Sequence, residues 1–158
     1  MVKKNYQVQV SDAEKKKTAM AVAKNANMSL KYATEIIREV RGKPLAHAER
    51  FLNDVIAKRA FLPLKQFRKK VAHRKGEAKS GVKSGRYPQK TCHAILSVLQ
   101  SVKANADYKG LDEDKLLIVH AFASQGFARI SHQAQGHIGG KRRKKPSVHF
   151  EVIVREAA

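Results

Sequence analysis

The apolar positions of this chain recur with two periods, and the change from one to the other marks out its elements. After Ser29, which fits a helix N-cap, Ala33, Ile36, Ile37 and Val40 fall at helical spacing, and Gly42 closes the run. Pro44 suits the first turn of a second helix, whose stripe is Ala48, Phe51, Leu52, Val55 and Ile56 and which ends before Pro63. Pro88 opens the most regular helix: Ala94, Ile95, Val98, Leu99, Val102 and Ala106 mark its buried face, and Gly110 ends it. Beyond Lys115 the period becomes two. Leu117, Val119 and Ala121 alternate with Leu116, Ile118 and His120, and Val148, Phe150, Val152 and Val154 alternate with His149, Glu151 and Ile153, as in two strands. Nearer the start the pattern is weaker. Tyr6, Val8 and Val10 read as a short strand, while Ala19, Ala21 and Ala23 are compatible with an extended segment or a short helix.

The connection between the last two strands is far too long for a tight turn. A two-stranded arm is the economical solution, because an antiparallel pair can run beyond the core while satisfying its own backbone. The expected fold is therefore α+β, with about three helices packed on a small antiparallel sheet and a long protruding β-hairpin. The length suits a single domain, residues 1–158, with a body of about 1–114 plus 147–158 and an arm of about 115–155.

Charge changes the picture most. The chain carries 33 Lys and Arg against 13 Asp and Glu, a formal charge of +20. Such a charge repels itself in a compact free protein, so a polyanionic partner is expected, and nucleic acid is the first candidate. The basic residues form two blocks. Lys65, Arg68, Lys69, Lys70, His73, Arg74, Lys75, Lys79, Lys83 and Arg86 face one acid, Glu77, in a glycine-broken loop, and Lys90 follows. The second block is Arg129, His132, His137 and the run Lys141, Arg142, Arg143, Lys144 and Lys145, inside a stretch of 36 residues from Lys115 to Phe150 without an Asp or Glu. Aromatic residues make up only 6% and Trp is absent, so base-stacking platforms are thinly supported and RNA shape is the expected basis of recognition.

Other chemistry is poorly supported. The segment around Gly139 and Gly140 before Lys141 lacks the earlier glycine and the following hydroxyl of a phosphate loop. The segment from Gly126 to Ala128 echoes an RNA-recognition submotif, but Arg129 stands where an aromatic is required. The seven histidines are scattered without ligand spacing, and one cysteine, Cys92, excludes a disulfide framework and reads as a buried helix residue. The acids Asp112, Glu113 and Asp114 read as turn and capping residues rather than a catalytic pair. No enzyme, metal, cofactor or small-molecule substrate is expected. The polar start MVKKNYQVQV and the lack of a long apolar run point away from export and membranes, toward the cytoplasm.

Two stretches carry a resemblance. SGRYPQKTCHAILSVLQSVKANADYKGLDEDKLLIVHAFASQG, residues 84–126, and MSLKYATEIIREVRGKPLAHAERFL, residues 28–52, closely resemble the archaeal and eukaryotic branch of a universal ribosomal protein family. It is the large-subunit family numbered twenty-two in the universal naming and seventeen in the older eukaryotic naming. Its markers are the GRYP string at Gly85–Pro88 and the string from Ala104 to Asp112. The resemblance implies an α+β body that binds large-subunit ribosomal RNA, supports assembly and sits beside neighbouring ribosomal proteins. It also implies a hairpin that threads between RNA segments and lines the nascent-polypeptide exit tunnel. The tunnel-facing tip would be Gln133, Ala134, Gln135, Gly136, His137 and Ile138. The family tip commonly reads R-A-x-G-R; here both arginines are absent, at Gln133 and His137. The alternative reading of the residues is a basic DNA-architectural protein that uses a β-arm.

Overall fold

The computed structural model describes residues 6–67, 69–75, 81–133 and 140–157. Three helices cover one face of a three-stranded antiparallel sheet. The strands are β1 (Thr18–Ala26), β4 (Leu116–Gln125) and β7 (Val148–Glu156), in the order β1-β7-β4. The helices are α2 (Leu30–Val40), α3 (Leu45–Ile56) and α4 (Gln89–Tyr108), and a single turn, α1 (Asp12–Lys15), precedes β1. Of the two options for Ala19, Ala21 and Ala23, the strand is the one adopted. Tyr6 to Val10 is not a strand; it crosses the outer face of the sheet, where the Gln7 amide donates to Glu151 Oε1 at 3.1 Å.

The central strand β7 buries Val148, Phe150, Val152 and Val154 against the helices. Alanines face them on β1: Ala19 is paired with Val154, Ala21 with Val152 and Ala23 with Phe150. Small side chains there leave room for α4, which buries Cys92, Ile95, Val98, Leu99, Val102 and Ala106. Each large apolar side chain fully buried stabilises by roughly 1.5–3 kcal/mol, and Phe150, Ile95 and Leu99 of this layer are among them. In β4 the alternation slips once. Val119 is an extra residue between Ile118 (opposite Val154) and His120 (opposite Ile153). The bulge keeps Leu116 and Ile118 in the core, and Ala121 as well, while His120 turns to the other face. There His120 Nε2 lies 2.8 Å from Glu151 Oε1, both side chains buried. Burial and the nearby Glu151 carboxylate raise the Tyr6 hydroxyl above its ordinary value.

The turn between α2 and α3 closes the free edge of β4. Gly42, at φ 78°, donates its N–H to Ile118 O, and Ile118 N–H returns to Lys43 O. Ser29 stands at the N-cap of α2 but its hydroxyl makes no capping bond, and Pro44 sits one residue before the first turn of α3. The acids after α4 act as turn residues. Asp112 Oδ1 accepts from the Asp114 N–H at 3.2 Å, and Glu113 pairs with Lys103 at 2.5 Å, which lowers the Glu113 carboxyl below its ordinary range.

Within residues 115–155, β4 and β7 belong to the body's sheet. Beyond their last pair, Gln125 with Val148, a separate two-stranded ladder is formed by β5 (Arg129–Gln133) and β6 (Lys141–Lys145).

Candidate nucleic-acid interface

The first basic block starts from a buried acid. Glu35 lies on the core side of α2, 1% exposed, and its carboxylate turns to the chain after Leu64. It accepts the backbone N–H groups of Lys65 at 3.2 Å, Gln66 at 2.7 Å and Phe67 at 2.6 Å. Three amide donors are what a buried carboxylate needs in place of water. The far end of the block is pinned by two short strands, β2 (Leu62–Pro63) and β3 (Gly85–Arg86), with Leu64 N–H donating to Ser84 O. Gly85 is needed there, since a Cβ would come 2.2 Å from the Phe61 ring. Arg74 bridges the block internally: its Nε donates to Gly85 O at 3.2 Å and its guanidinium lies 5.3 Å from the centre of the Tyr87 ring.

The candidates of this block thus differ in role. Lys65 is answered by Glu39 at 2.9 Å, and Arg74 is packed into the fold, so neither is a free cation. Lys69, Lys70, His73, Lys75, Lys83, Arg86 and Lys90 are exposed. Arg68 and Lys79 lie outside the described residues.

The second block is carried by the β5–β6 ladder. Lys141, Arg142, Arg143, Lys144 and Lys145 are all exposed, as are Arg129 and His132 on the facing strand. Arg129 stands opposite Lys145, so cation faces cation there, and His132 stands opposite Arg142. Gln133 ends β5, and the remaining tip positions Ala134, Gln135, Gly136, His137 and Ile138 lie outside the described residues.

A joint at the arm's base fixes where this ladder leaves the body. β1 carries an irregularity between Ala23 and Ala26, where Asn25 takes φ 53°, a left-handed conformation that Asn tolerates. Asn25 donates its N–H to His149 Nδ1 at 3.1 Å and accepts the Phe127 N–H at 3.1 Å. Ser147 Oγ lies 2.5 Å from Phe127 O and 3.1 Å from Asn25 Oδ1, and the Gly126 N–H donates to Ser147 O at 2.9 Å. A Cβ on Gly126 would come within 2.7 Å of both Asn25 Oδ1 and Ser147 Oγ. Phe127 itself is 71% exposed.

Body and arm enclose an open groove of about 1180 Å³ at this joint. Lys31 and Lys90 reach it from the body, Arg129, Lys144 and Lys145 from the arm, and among the described residues no Asp or Glu lines it. Sequence reasoning treated Lys90 and the arm cations as separate blocks and missed Lys31. The only sequence signal for Lys31 is its place in the first turn of a helix that lacks acids there.

Cys92 is fully buried, and burial pushes its thiol up to about 12, which leaves it protonated and unreactive in the folded chain. Among the described residues no group of His, Cys, Asp and Glu is arranged to hold a metal ion, and no helix is long and apolar enough to cross a membrane.

The family described as ribosomal protein L22p/L17e matches residues 21–155. The large ribosomal subunit protein uL22 of Methanococcus vannielii is 40% identical over 158 residues, spanning 99% of either chain. Its counterpart in Methanocaldococcus jannaschii is 40% identical over 156 residues, 99% of this chain and 97% of its own. That of Archaeoglobus fulgidus is 43% identical over 126 residues, 80% and 79% of the two chains.

Proposed function

The chain belongs to the ribosomal protein L22p/L17e family, and we propose from that premise how its two basic blocks serve a large ribosomal subunit. It is a structural component that binds large-subunit ribosomal RNA in the cytoplasm and makes no chemical change in it. The body grips phosphates through Lys69, Lys70, His73, Lys75, Lys83, Arg86 and Lys90. The arm does so through Arg129, His132 and Lys141–Lys145, with His137 beyond the described ladder. Lys65 and Arg74 hold the body block in shape rather than meeting RNA directly, a change from the role their sequence position suggests. Neighbouring large-subunit proteins complete the site, and the hairpin tip, Gln133 to Ile138, lines the nascent-polypeptide exit tunnel.

One observation carries this reading: a ladder that exposes Arg129 and the whole run Lys141–Lys145, with no acid on either strand, is joined to the body by a tight polar joint. A folded chain keeps such an element only if a polyanion neutralises it. Family membership favours a ribosomal partner over a DNA-architectural role.

The test is incorporation. A variant lacking Arg129–Lys144 keeps the body's sheet and the Asn25 joint, and is expected to enter large subunits more weakly than the full chain. Chemical probing should then find the RNA around the missing arm more reactive. Normal incorporation with an unchanged footprint would remove the arm from the RNA-binding role. Co-sedimentation of the full chain with chromatin instead of subunits would favour the DNA-architectural alternative.

A further inference from the structure

We propose that the groove between body and arm is a docking site for one RNA backbone strand, so that a single phosphate run is held by both basic blocks at once. This rests on the ribosomal-RNA reading above and adds to it where the first contact is made. The groove has five cations from three separate parts of the chain: Lys31, Lys90, and the arm's Arg129, Lys144 and Lys145. All are exposed, and among the described residues none is engaged in an ion pair. Elsewhere among the described residues cations are answered by acids, as Lys65 is by Glu39 and Lys103 by Glu113. The groove cations are therefore left for a ligand from outside.

Backbone donors add to them. The first helical bond of α2 runs from Ala33 N–H to Ser29 O, so the amides of Leu30 and Lys31 precede it, and no described side chain accepts from them. At the start of α4 Pro88 has no N–H to offer, and the Lys90 amide lies ahead of the bonds that Thr91 and Cys92 make to Pro88 O. Neither helix has an acid in its first turn. Both helix starts thus present positive dipole ends beside Lys31 and Lys90 in one concavity, which suits phosphate oxygens. The ligand is a phosphodiester chain rather than an acidic polypeptide, because the proposed function gives this chain an RNA partner and backbone N–H groups at helix N-termini are common phosphate contacts. Since the arm supplies one wall, a strand seated here also braces the arm against the body.

The experiment compares two triple variants with the same loss of charge. One is Lys31→Gln/Lys90→Gln/Lys144→Gln, inside the groove. The other is Lys141→Gln/Arg142→Gln/Arg143→Gln, on the ladder beyond it. All six side chains are exposed, and circular dichroism checks that both variants keep the body fold. Affinity for a large-subunit RNA transcript is measured by filter binding across a salt series. The groove variant should lose at least about tenfold more affinity than the ladder variant. Its log–log salt slope should fall by about 2, as expected for three contacts worth about 0.7 each on a single strand. Equal losses in the two variants would overturn the groove assignment while leaving RNA binding intact. So would a groove variant that loses affinity for polyglutamate but not for RNA. Failure of the unaltered chain to bind the transcript would instead overturn the functional reading itself, and the groove with it.

Discussion

At the scale of single residues, two positions govern whether the basic elements are held in place. Glu35 gives both carboxylate oxygens to the amides of Lys65, Gln66 and Phe67 from a buried site. In Glu35→Gln one oxygen becomes an amide NH₂, which faces a donor it cannot pair with. Urea unfolding should show a loss of roughly 2–3 kcal/mol, the scale of charge-assisted bonds removed from a buried group. Hydrogen exchange should show the Gln66 and Phe67 amides losing protection first; unchanged exchange there would mean that the carboxylate is not the anchor. Gly126 is the second position. In Gly126→Ala the new methyl meets Asn25 Oδ1 and Ser147 Oγ at 2.7 Å, and these atoms are tied into the joint. We expect a cost of about 1–3 kcal/mol, as for other overpacked sites. Adding Ser147→Ala removes one of the crowded atoms, so the double variant should be less destabilised than the sum of the two singles. Neither role was legible in the sequence. Glu35 lies between Thr34 and Ile36 on a helix, but its partners are backbone amides, which leave no mark in side-chain spelling. The contacts of Gly126 come from Asn25, a residue 101 positions earlier, as read from the numbering of the chain.

At the scale of elements, the strongest periodic signals were the ones the fold used. In the stripe of α4 Ile95, Val98, Leu99, Val102 and Ala106 are buried and Ala94 is half-buried, and the alternation of Val148 to Val154 sits on the core face of β7. What failed was the end of the chain where apolar residues are sparse: Tyr6, Val8 and Val10 alternate, yet no described strand pairs with them. The bulge at Val119 was equally hidden, because alternation in β4 cannot say which residue the partner strand will skip. An arm over about 115–155 was expected from charge and length; the β5–β6 ladder is compatible with it, and its electrostatics yield a prediction. Like charges directly opposite one another destabilise a strand pair, and here Arg129 faces Lys145. A two-stranded ribbon is also marginal by itself in water. In the free protein the amides of β5 and β6 should exchange rapidly while those of Ile95–Val102 are protected, and adding the RNA transcript should slow exchange in the ladder. Equal protection of ladder and α4 before RNA is added would contradict this account.

At the scale of the whole molecule, one charge imbalance must act in opposite directions on folding and on binding. The +20 charge repels itself in the folded chain, and among the described residues the groove brings five cations together without an acid. Added salt shortens the screening length to about 8 Å near physiological ionic strength, so it relieves this repulsion and should raise the melting temperature of the free protein. The same salt weakens the complex, because ions released from RNA on binding return at a greater cost when their bulk concentration is high. With six to ten phosphate contacts, affinity for large-subunit RNA should fall about 10³–10⁵-fold between 50 and 200 mM salt. Body and arm together present enough exposed cations for that number: Lys69, Lys70, Lys75, Lys83, Arg86 and Lys90 on one side, Arg129 and Lys141–Lys145 on the other. The two measurements are a thermal melt and a filter-binding titration on the same salt series. The expected result is opposite slopes, with stability rising where affinity falls. If the melting temperature does not change with salt, the cations are far enough apart to tolerate one another without a partner. If affinity is flat, the basic blocks do not neutralise phosphates. Either outcome would separate the chain's charge from its binding to ribosomal RNA.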